Sequence, residues 1–197
     1  MSIKKLLITG FEPFDGQSIN PSWEAVSRLP EKIGEYTVTK LKIPVEFSRG
    51  AECVIKKAEE ISPDVILCVG QAGGREKICF ERIGVNIRNA SIADNAGVKP
   101  TDEPIIKDGR EAFFSTVANR QMVDAVKDKG IACAMSYHAG AYVCNDVLYT
   151  LLHRFNGTDV KVGFIHVPYL PEQTTKGEPC MELDEIVVAL NCAIEAL

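Results

Sequence analysis

The sequence predicts an α/β protein: one domain, residues 1–197, folded as a three-layer α/β/α sandwich around a largely parallel, mixed sheet. Three observations carry this. Strand-like and helix-like segments alternate along the chain, with no internal repeat, low-complexity tract or linker. The run Val65-Ile66-Leu67-Cys68-Val69 is apolar on both faces, as a central strand covered by helices on each side must be. The 197 residues, 46% hydrophobic and 25% charged, supply a core for one large domain and too little for two comfortable ones.

The elements follow in order. Lys5 to Thr9 is a short apolar strand running into a loop at Gly10. Asn20-Pro21-Ser22-Trp23 has the form of a helix start, and Pro30 ends that helix. Tyr36 to Val45 alternates as a strand, and Phe47 to Ile61, rich in Ala, Lys and Glu, is a helix. After the strand at Val65 comes the flexible loop Gly70 to Gly74, then Ile78 to Ile87 as a further strand or hairpin arm. Asn95 to Phe114 is polar, carries Pro100, Pro104 and Gly109 and has weak periodicity, so a long loop or lid with short elements is expected there. Val117 to Lys129 is a helix, Ile131 to Met135 a buried strand, Asn145 to Phe155 a helix and Val160 to Ile165 a strand. Pro168 to Cys180 is loop, and Met181 to Leu197 is the last helix.

Composition removes several function classes. A net charge of −5, with no run of Lys or Arg, argues against nucleic acid or an anionic membrane surface as a partner. The apolar runs are strand-sized and far short of a membrane span, and no signal-peptide pattern opens the chain. Seven cysteines, an odd number, fit no zinc or CxxC spacing, so neither a metal nor a disulfide framework is expected, and a reducing cytoplasm is the simplest compartment. Cys53, Cys68, Cys133 and Cys192 lie in apolar contexts and read as small core residues.

Cys144 differs from these. It follows a buried strand and a turn at Gly140, and it precedes a helix whose apolar face is Val147, Leu148, Leu151, Leu152 and Phe155. A cysteine at a helix N-terminus meets unpaired N–H groups and the positive end of the dipole, which favour the nucleophilic thiolate. A nucleophile needs a base, and the chain has three histidines. His153 falls inside the helix after Cys144, at its surface or end; His138 lies in the turn before it. His166 closes the apolar strand Val162-Gly163-Phe164-Ile165, where Val167-Pro168 stops it, at the edge where α/β sites gather. A hydrogen-bonded core histidine is the plain alternative. Glu81 is the candidate acceptor that would orient the imidazole, because a carboxylate on the apolar face of Ile83, Val85 and Ile87 needs a partner. A salt bridge to Arg75, Arg82 or Arg88 is the competing explanation. Gly70-Gln71-Ala72-Gly73-Gly74-Arg75 lacks the spacing of either glycine fingerprint and the P-loop lysine, and reads as a loop that presents Gln71. Phe11 and Phe14 either pack in the ordinary way or clamp a small ring.

Four segments, in order, carry a resemblance. Ile8-Thr9-Gly10-Phe11-Glu12-Pro13-Phe14 with Asn20-Pro21-Ser22, Gly70-Gln71-Ala72-Gly73-Gly74-Arg75 with Glu81-Arg82, Ala139-Gly140 with Tyr142-Val143-Cys144-Asn145, and Gly163 to Pro171 around His166 each resemble a motif of the pyroglutamyl peptidase I family. The resemblance implies an α/β/α cysteine exopeptidase that removes an N-terminal pyroglutamyl residue from peptides, often as a tetramer and without cofactor. The implied triad is Cys144, His166 and Glu81; the implied substrate pocket is Phe11, Phe14, Tyr142 and Val143, with Gln71 as polar contact to the lactam. The sequence also departs from the family pattern. Ser91 and Ala93 stand where an arginine and a proline are usual, Ala141 replaces a threonine, and His138 is unusual in its place. Because that arginine is thought to help stabilise the oxyanion, Arg88 or His138 is expected to substitute in part. Two alternatives are a related small-amide cysteine hydrolase with an altered pocket, and a weakly active protein of the same fold that binds cyclised N-termini.

Overall fold

Strands fill the apolar middle of the protein, three of them buried without interruption over residues 6–11, 65–70 and 162–167, with amphipathic helices closing both faces. The structure, a computed structural model, describes residues 3–197. In chain order the elements are β1 (Lys4–Phe11), α1 (Pro21–Arg28), β2 (Lys32–Ile33), β3 (Tyr36–Ile43), α2 (Arg49–Ile61), β4 (Val65–Gln71), β5 (Ile78–Glu81), β6 (Ile83–Val85), β7 (Ala112–Phe114), α3 (Asn119–Lys127), β8 (Cys133–Ser136), α4 (Val143–Arg154), β9 (Lys161–Val167) and α5 (Leu183–Glu195), with a short 3-10 turn at Pro171–Gln173.

Seven strands form one sheet in the order β2-β3-β1-β4-β9-β5-β8. The four central strands β3, β1, β4 and β9 are parallel, whereas β5 runs antiparallel to β9 and β8 lies parallel to β5. The sheet is therefore mixed and mostly parallel, as expected. Val65 to Val69 is buried along its whole length in the centre. Leu6, Ile8, Leu67, Val69 and Ile165 pack against α1, α3 and α5 on one face. Leu7, Ile66, Cys68 and Phe164 pack against α2 and α4 on the other.

Two sequence expectations change in detail. Ile78 to Ile87 is not one strand: it breaks at Arg82, whose N–H donates to the Ser136 carbonyl and whose carbonyl accepts from the Ser115 N–H. Beyond the break, β6 leaves the main sheet and pairs with β7 in a second sheet of two strands. The 95–114 segment is largely irregular but well fastened. Arg88 and Glu103 exchange backbone hydrogen bonds, Asn86 holds Ile106 from both ends of its amide, and the Tyr149 hydroxyl donates to the Arg110 carbonyl at 2.6 Å.

Candidate active site

The C-terminal ends of β4 and β9 lie side by side, with Gly70 in register with His166 and Gln71 with Val167. On the other side of β9, His166 is in register with Cys79 and Phe164 with Glu81. Side chains two apart on a strand share a face, and neighbouring strands lie about 4.8 Å apart. Glu81, Phe164 and His166 therefore share the face that carries α4. His166 Nδ1 lies 2.8 Å from Glu81 Oε1, with the histidine 3% exposed and the glutamate fully buried. The proposed ion pair of Glu81 with Arg75 also exists: Arg75 Nη1 donates to the same Oε1 at 2.6 Å, and its Nη2 donates to the His138 carbonyl at 2.9 Å. Both sequence explanations of this carboxylate hold at once. Burial alone would raise its pKa; the bonds from His166 and Arg75 outweigh that and hold it below the usual range. An ionised Glu81 can only accept, so Nδ1 carries the imidazole proton and Nε2 is left with its lone pair.

Cys144 is the second residue of α4, whose N-terminus begins two residues earlier than the periodicity indicates. No side chain caps this end. Tyr142, in extended conformation at the cap, donates its hydroxyl to the Ala93 carbonyl and packs edge-on against Phe47. Deeper in the helix, Asn145 acts as a strand mimic. Its Oδ1 accepts from the Val85 N–H, and its Nδ2 donates to the Val85 and Ile87 carbonyls. Asp146 accepts from the Ser48 N–H and from Arg88 Nε at 2.6 Å. These two buried polar residues lock the helix start, so the sulfur is aimed by the whole layer beneath it.

That aim is toward the sheet. A Cβ built on Gly70 would lie 2.9 Å from Cys144 Sγ and 2.8 Å from Phe164 Cζ. The sulfur thus occupies the space above Gly70 that only a missing side chain leaves open, on the strand paired with the one that carries His166. Burial pushes the thiol up to about 12, Glu81 adding to the effect, while Arg75 and the Cys144 N–H oppose it. Burial likewise lowers the His166 pKa, more than Glu81 raises it. Burial thus favours the neutral form of both groups, the thiol of Cys144 and the imidazole of His166.

Beside the sulfur is a small, mainly apolar pocket lined by Phe11, Phe14, Asn20, Val45, Gln71, Tyr142, Val143 and Cys144. All five pocket residues expected from the sequence line it. Asn20 and Val45 join them unforeseen, although Asn20 was legible as a helix cap: its Oδ1 accepts from the Ser22 N–H and hydroxyl, and its Nδ2 donates to the Glu12 carbonyl.

A family model described as pyroglutamyl peptidase matches residues 4–197. The chain belongs to the pyroglutamyl peptidase family. The pyrrolidone-carboxylate peptidases of Erwinia tasmaniensis and Bacillus mycoides are 44% identical over 195 residues and 42% identical over 198 residues, each match covering 98% of this chain and 92% of the relative. The crystal structure of Bacillus amyloliquefaciens pyroglutamyl peptidase I superposes with a TM-score of 0.94 at 39% identity, covering 98% of this chain and 96% of that one. The pyrrolidone carboxyl peptidase of Thermococcus litoralis gives 0.92 at 38% identity, covering 98% and 92%.

The expectation that Arg88 or His138 substitutes for the arginine usual at Ser91 loses support for Arg88, whose guanidinium is committed elsewhere. The Arg88 guanidinium is bound to Asp146 and to the Ser48 hydroxyl and lies over the Phe47 ring. His138 is exposed, and its Nδ1 accepts the Gly140 N–H at 2.8 Å, which shapes the turn before Cys144. His153 is exposed on α4, as expected.

Proposed function

We propose that this pyroglutamyl peptidase hydrolyses the amide bond after an N-terminal pyroglutamyl residue with Cys144 as nucleophile, His166 as general base and Glu81 as the acceptor that orients the imidazole. Its main support is the geometry of one sheet end. A sulfur packs over Gly70 next to a buried His–Glu pair, and an apolar pocket opens at its side.

The chemistry runs as follows. Nε2 of His166 takes the thiol proton as Cys144 Sγ attacks the carbonyl carbon that links pyroglutamate to the next residue. The oxyanion develops against the uncapped N–H groups of the first turn of α4, the Cys144 N–H foremost. One such donor is worth about 3 kcal/mol of barrier. The imidazolium then protonates the leaving amine, and a thioester between pyroglutamate and Cys144 remains. Water, deprotonated by His166, opens it and regenerates the thiol. Throughout, Glu81 holds Nδ1–H and stabilises the transient imidazolium. Pyroglutamate has no free α-amine, so its pocket needs no carboxylate anchor; Phe11, Phe14, Tyr142 and Val143 enclose its ring, and Gln71 meets the lactam.

The same proposal has residues 1–197 acting as one catalytic domain, in the cytoplasm, as a homo-oligomer of tetrameric type, with pyroglutamyl peptides as its partners and neither nucleic acid nor membrane among them. The acidic net charge supports the last point, and among the described residues no helix is long and apolar enough to cross a membrane. The alternatives of an altered small-amide hydrolase or a non-hydrolytic binder gain no support, because the pyroglutamyl peptidase family model spans residues 4–197 and the curated relatives this chain resembles are pyrrolidone-carboxylate peptidases. The deciding experiment is hydrolysis of a chromogenic pyroglutamyl amide by the purified protein and by Cys144→Ser. Release of the chromophore by the first and its loss in the second is the expected result; a folded wild-type protein without activity, or an undiminished Cys144→Ser variant, overturns the proposal.

A further inference from the structure

The pocket contains three polar side chains besides the cysteine, and two of them are already used. Asn20 spends its amide on Ser22 and Glu12, and the Tyr142 hydroxyl donates to Ala93. Only Gln71 remains, and one end of its amide is also engaged: Oε1 accepts from Gln173 Nε2 at 3.0 Å. Gln173 cannot turn over to reverse that bond. Its own Oε1 accepts the Leu170 N–H at 3.0 Å, and its backbone N–H donates to the Leu170 carbonyl at 3.0 Å, so the 3-10 turn after β9 grips it at both ends. A backbone N–H has one polarity. Passed through two amides in series, that polarity dictates which end of Gln71 faces the pocket.

We infer that Gln173, outside the pocket, is a positioning and specificity-determining residue: through Gln71 it makes the pocket a hydrogen-bond donor toward the ring of the substrate. The inference rests on the proposed pyroglutamyl site and deepens it. With its oxygen held by Gln173, Gln71 offers the NH2 group, which has no hydrogen-bond partner among the described residues. The ring that fits must carry an acceptor there, and a lactam carbonyl is one. The same turn follows His166 on β9, so substrate polarity and the general base are set by one continuous segment.

Gln173→Glu tests this directly. A carboxylate still accepts the Leu170 N–H, but its second oxygen faces Gln71 Oε1, and two acceptors repel. The Gln71 amide then turns, giving its NH2 to position 173 and its oxygen to the pocket, where it opposes the lactam oxygen. The contact is made equally in ground and transition states, so KM for a pyroglutamyl amide rises by about tenfold to a hundredfold while kcat stays within about threefold. Gln173→Met, which leaves Gln71 free to adopt either orientation, raises KM by about two- to tenfold. In a Gln71→Met background, Gln173→Glu adds less than about twofold, because the residue through which it acts is gone. The rate of Cys144 alkylation by iodoacetamide serves as a control on the nucleophile, and thermal melting as a control on the turn. An unchanged KM in folded Gln173→Glu, or an equal effect with and without Gln71, overturns the inference and leaves the peptidase proposal standing. If Gln173→Glu does not fold, Gln173→Met decides by the same two criteria. A wild-type protein inactive on the pyroglutamyl amide overturns both.

Discussion

Replacing Gly70 by alanine adds one methyl group directly beneath the Cys144 sulfur. The backbone there permits it: Gly70 lies within β4 and its φ is not positive, so alanine meets no conformational strain and gains roughly 0.5–1 kcal/mol from a stiffer unfolded chain. The obstacle is space. The new carbon would meet Cys144 Sγ at 2.9 Å and Phe164 Cζ at 2.8 Å, against 3.4 Å for ordinary contact, so each must retreat by about 0.5 Å or more. Phe164 is fully buried and Cys144 begins a helix pinned by Asn145 and Asp146, so neither moves freely. Overpacking of this kind costs about 1–3 kcal/mol, which leaves a net loss of roughly 0–2.5 kcal/mol after the entropic gain. At about 2–4 °C per kcal/mol the melting temperature falls by no more than about 10 °C. Activity suffers more, because a displacement approaching 1 Å at a reacting atom costs about a hundredfold. The assay is kcat/KM on a chromogenic pyroglutamyl amide, beside a thermal melt and the iodoacetamide alkylation rate of Cys144. A Gly70→Ala protein that is folded and within threefold of wild-type activity refutes the placement of the sulfur over β4 in the working enzyme.

Three further outcomes follow from the same geometry. Glu81→Gln removes the charge that fixes Nδ1–H, and kcat/KM falls by about 10²–10⁴, measured on the same amide; a loss below tenfold removes Glu81 from the mechanism. Because His166 must be neutral to act as base and burial lowers its pKa from 6.5, the acid limb of kcat/KM against pH has its midpoint below 6.5; a midpoint above 7 contradicts the assigned protonation states. Arg88→Met leaves Asp146 buried with its charge partner gone, which costs about 3 kcal/mol and lowers the melting temperature by about 6–12 °C. A large kcat loss in Arg88→Met without that destabilisation contradicts the structural role assigned to Arg88 and revives it as an oxyanion group.

Much of this was open to view in the sequence, for reasons that can be traced to particular residues. The Val65 to Val69 run is apolar without a break and the stripe from Val147 to Phe155 has helical spacing, so β4 and α4 were legible. Cys144 and His166 were legible because each stands where an apolar element begins or ends. Glu81 was found for a reason that holds only in part. Alternation was extended across Arg82 to group it with Ile83 and Val85, yet the chain breaks there and those residues belong to another sheet. What identifies Glu81 is its register beside Phe164 on an antiparallel neighbour, a relation between residues 83 positions apart that no local pattern encodes. β2 and β7 escaped because two or three residues show no period, and β7 exists only through its pairing with β6. The roles of Asn145, Asp146 and Gln173 were hidden for a related reason. Each polar side chain has its meaning fixed by partners distant in sequence or, for Gln173, by the direction in which an amide points. Arg88 illustrates the opposite error, since nearness in sequence to Ser91 suggested a substitute that Asp146 already claims.

The central claim, covalent catalysis by Cys144, is tested most directly by acid-quenching the enzyme during turnover of a pyroglutamyl amide and weighing it intact. The account predicts an added pyroglutamyl group held as a thioester on the peptide that contains Cys144, and none on Cys144→Ser. Acylation at any other residue, or continued hydrolysis by the serine variant, contradicts it.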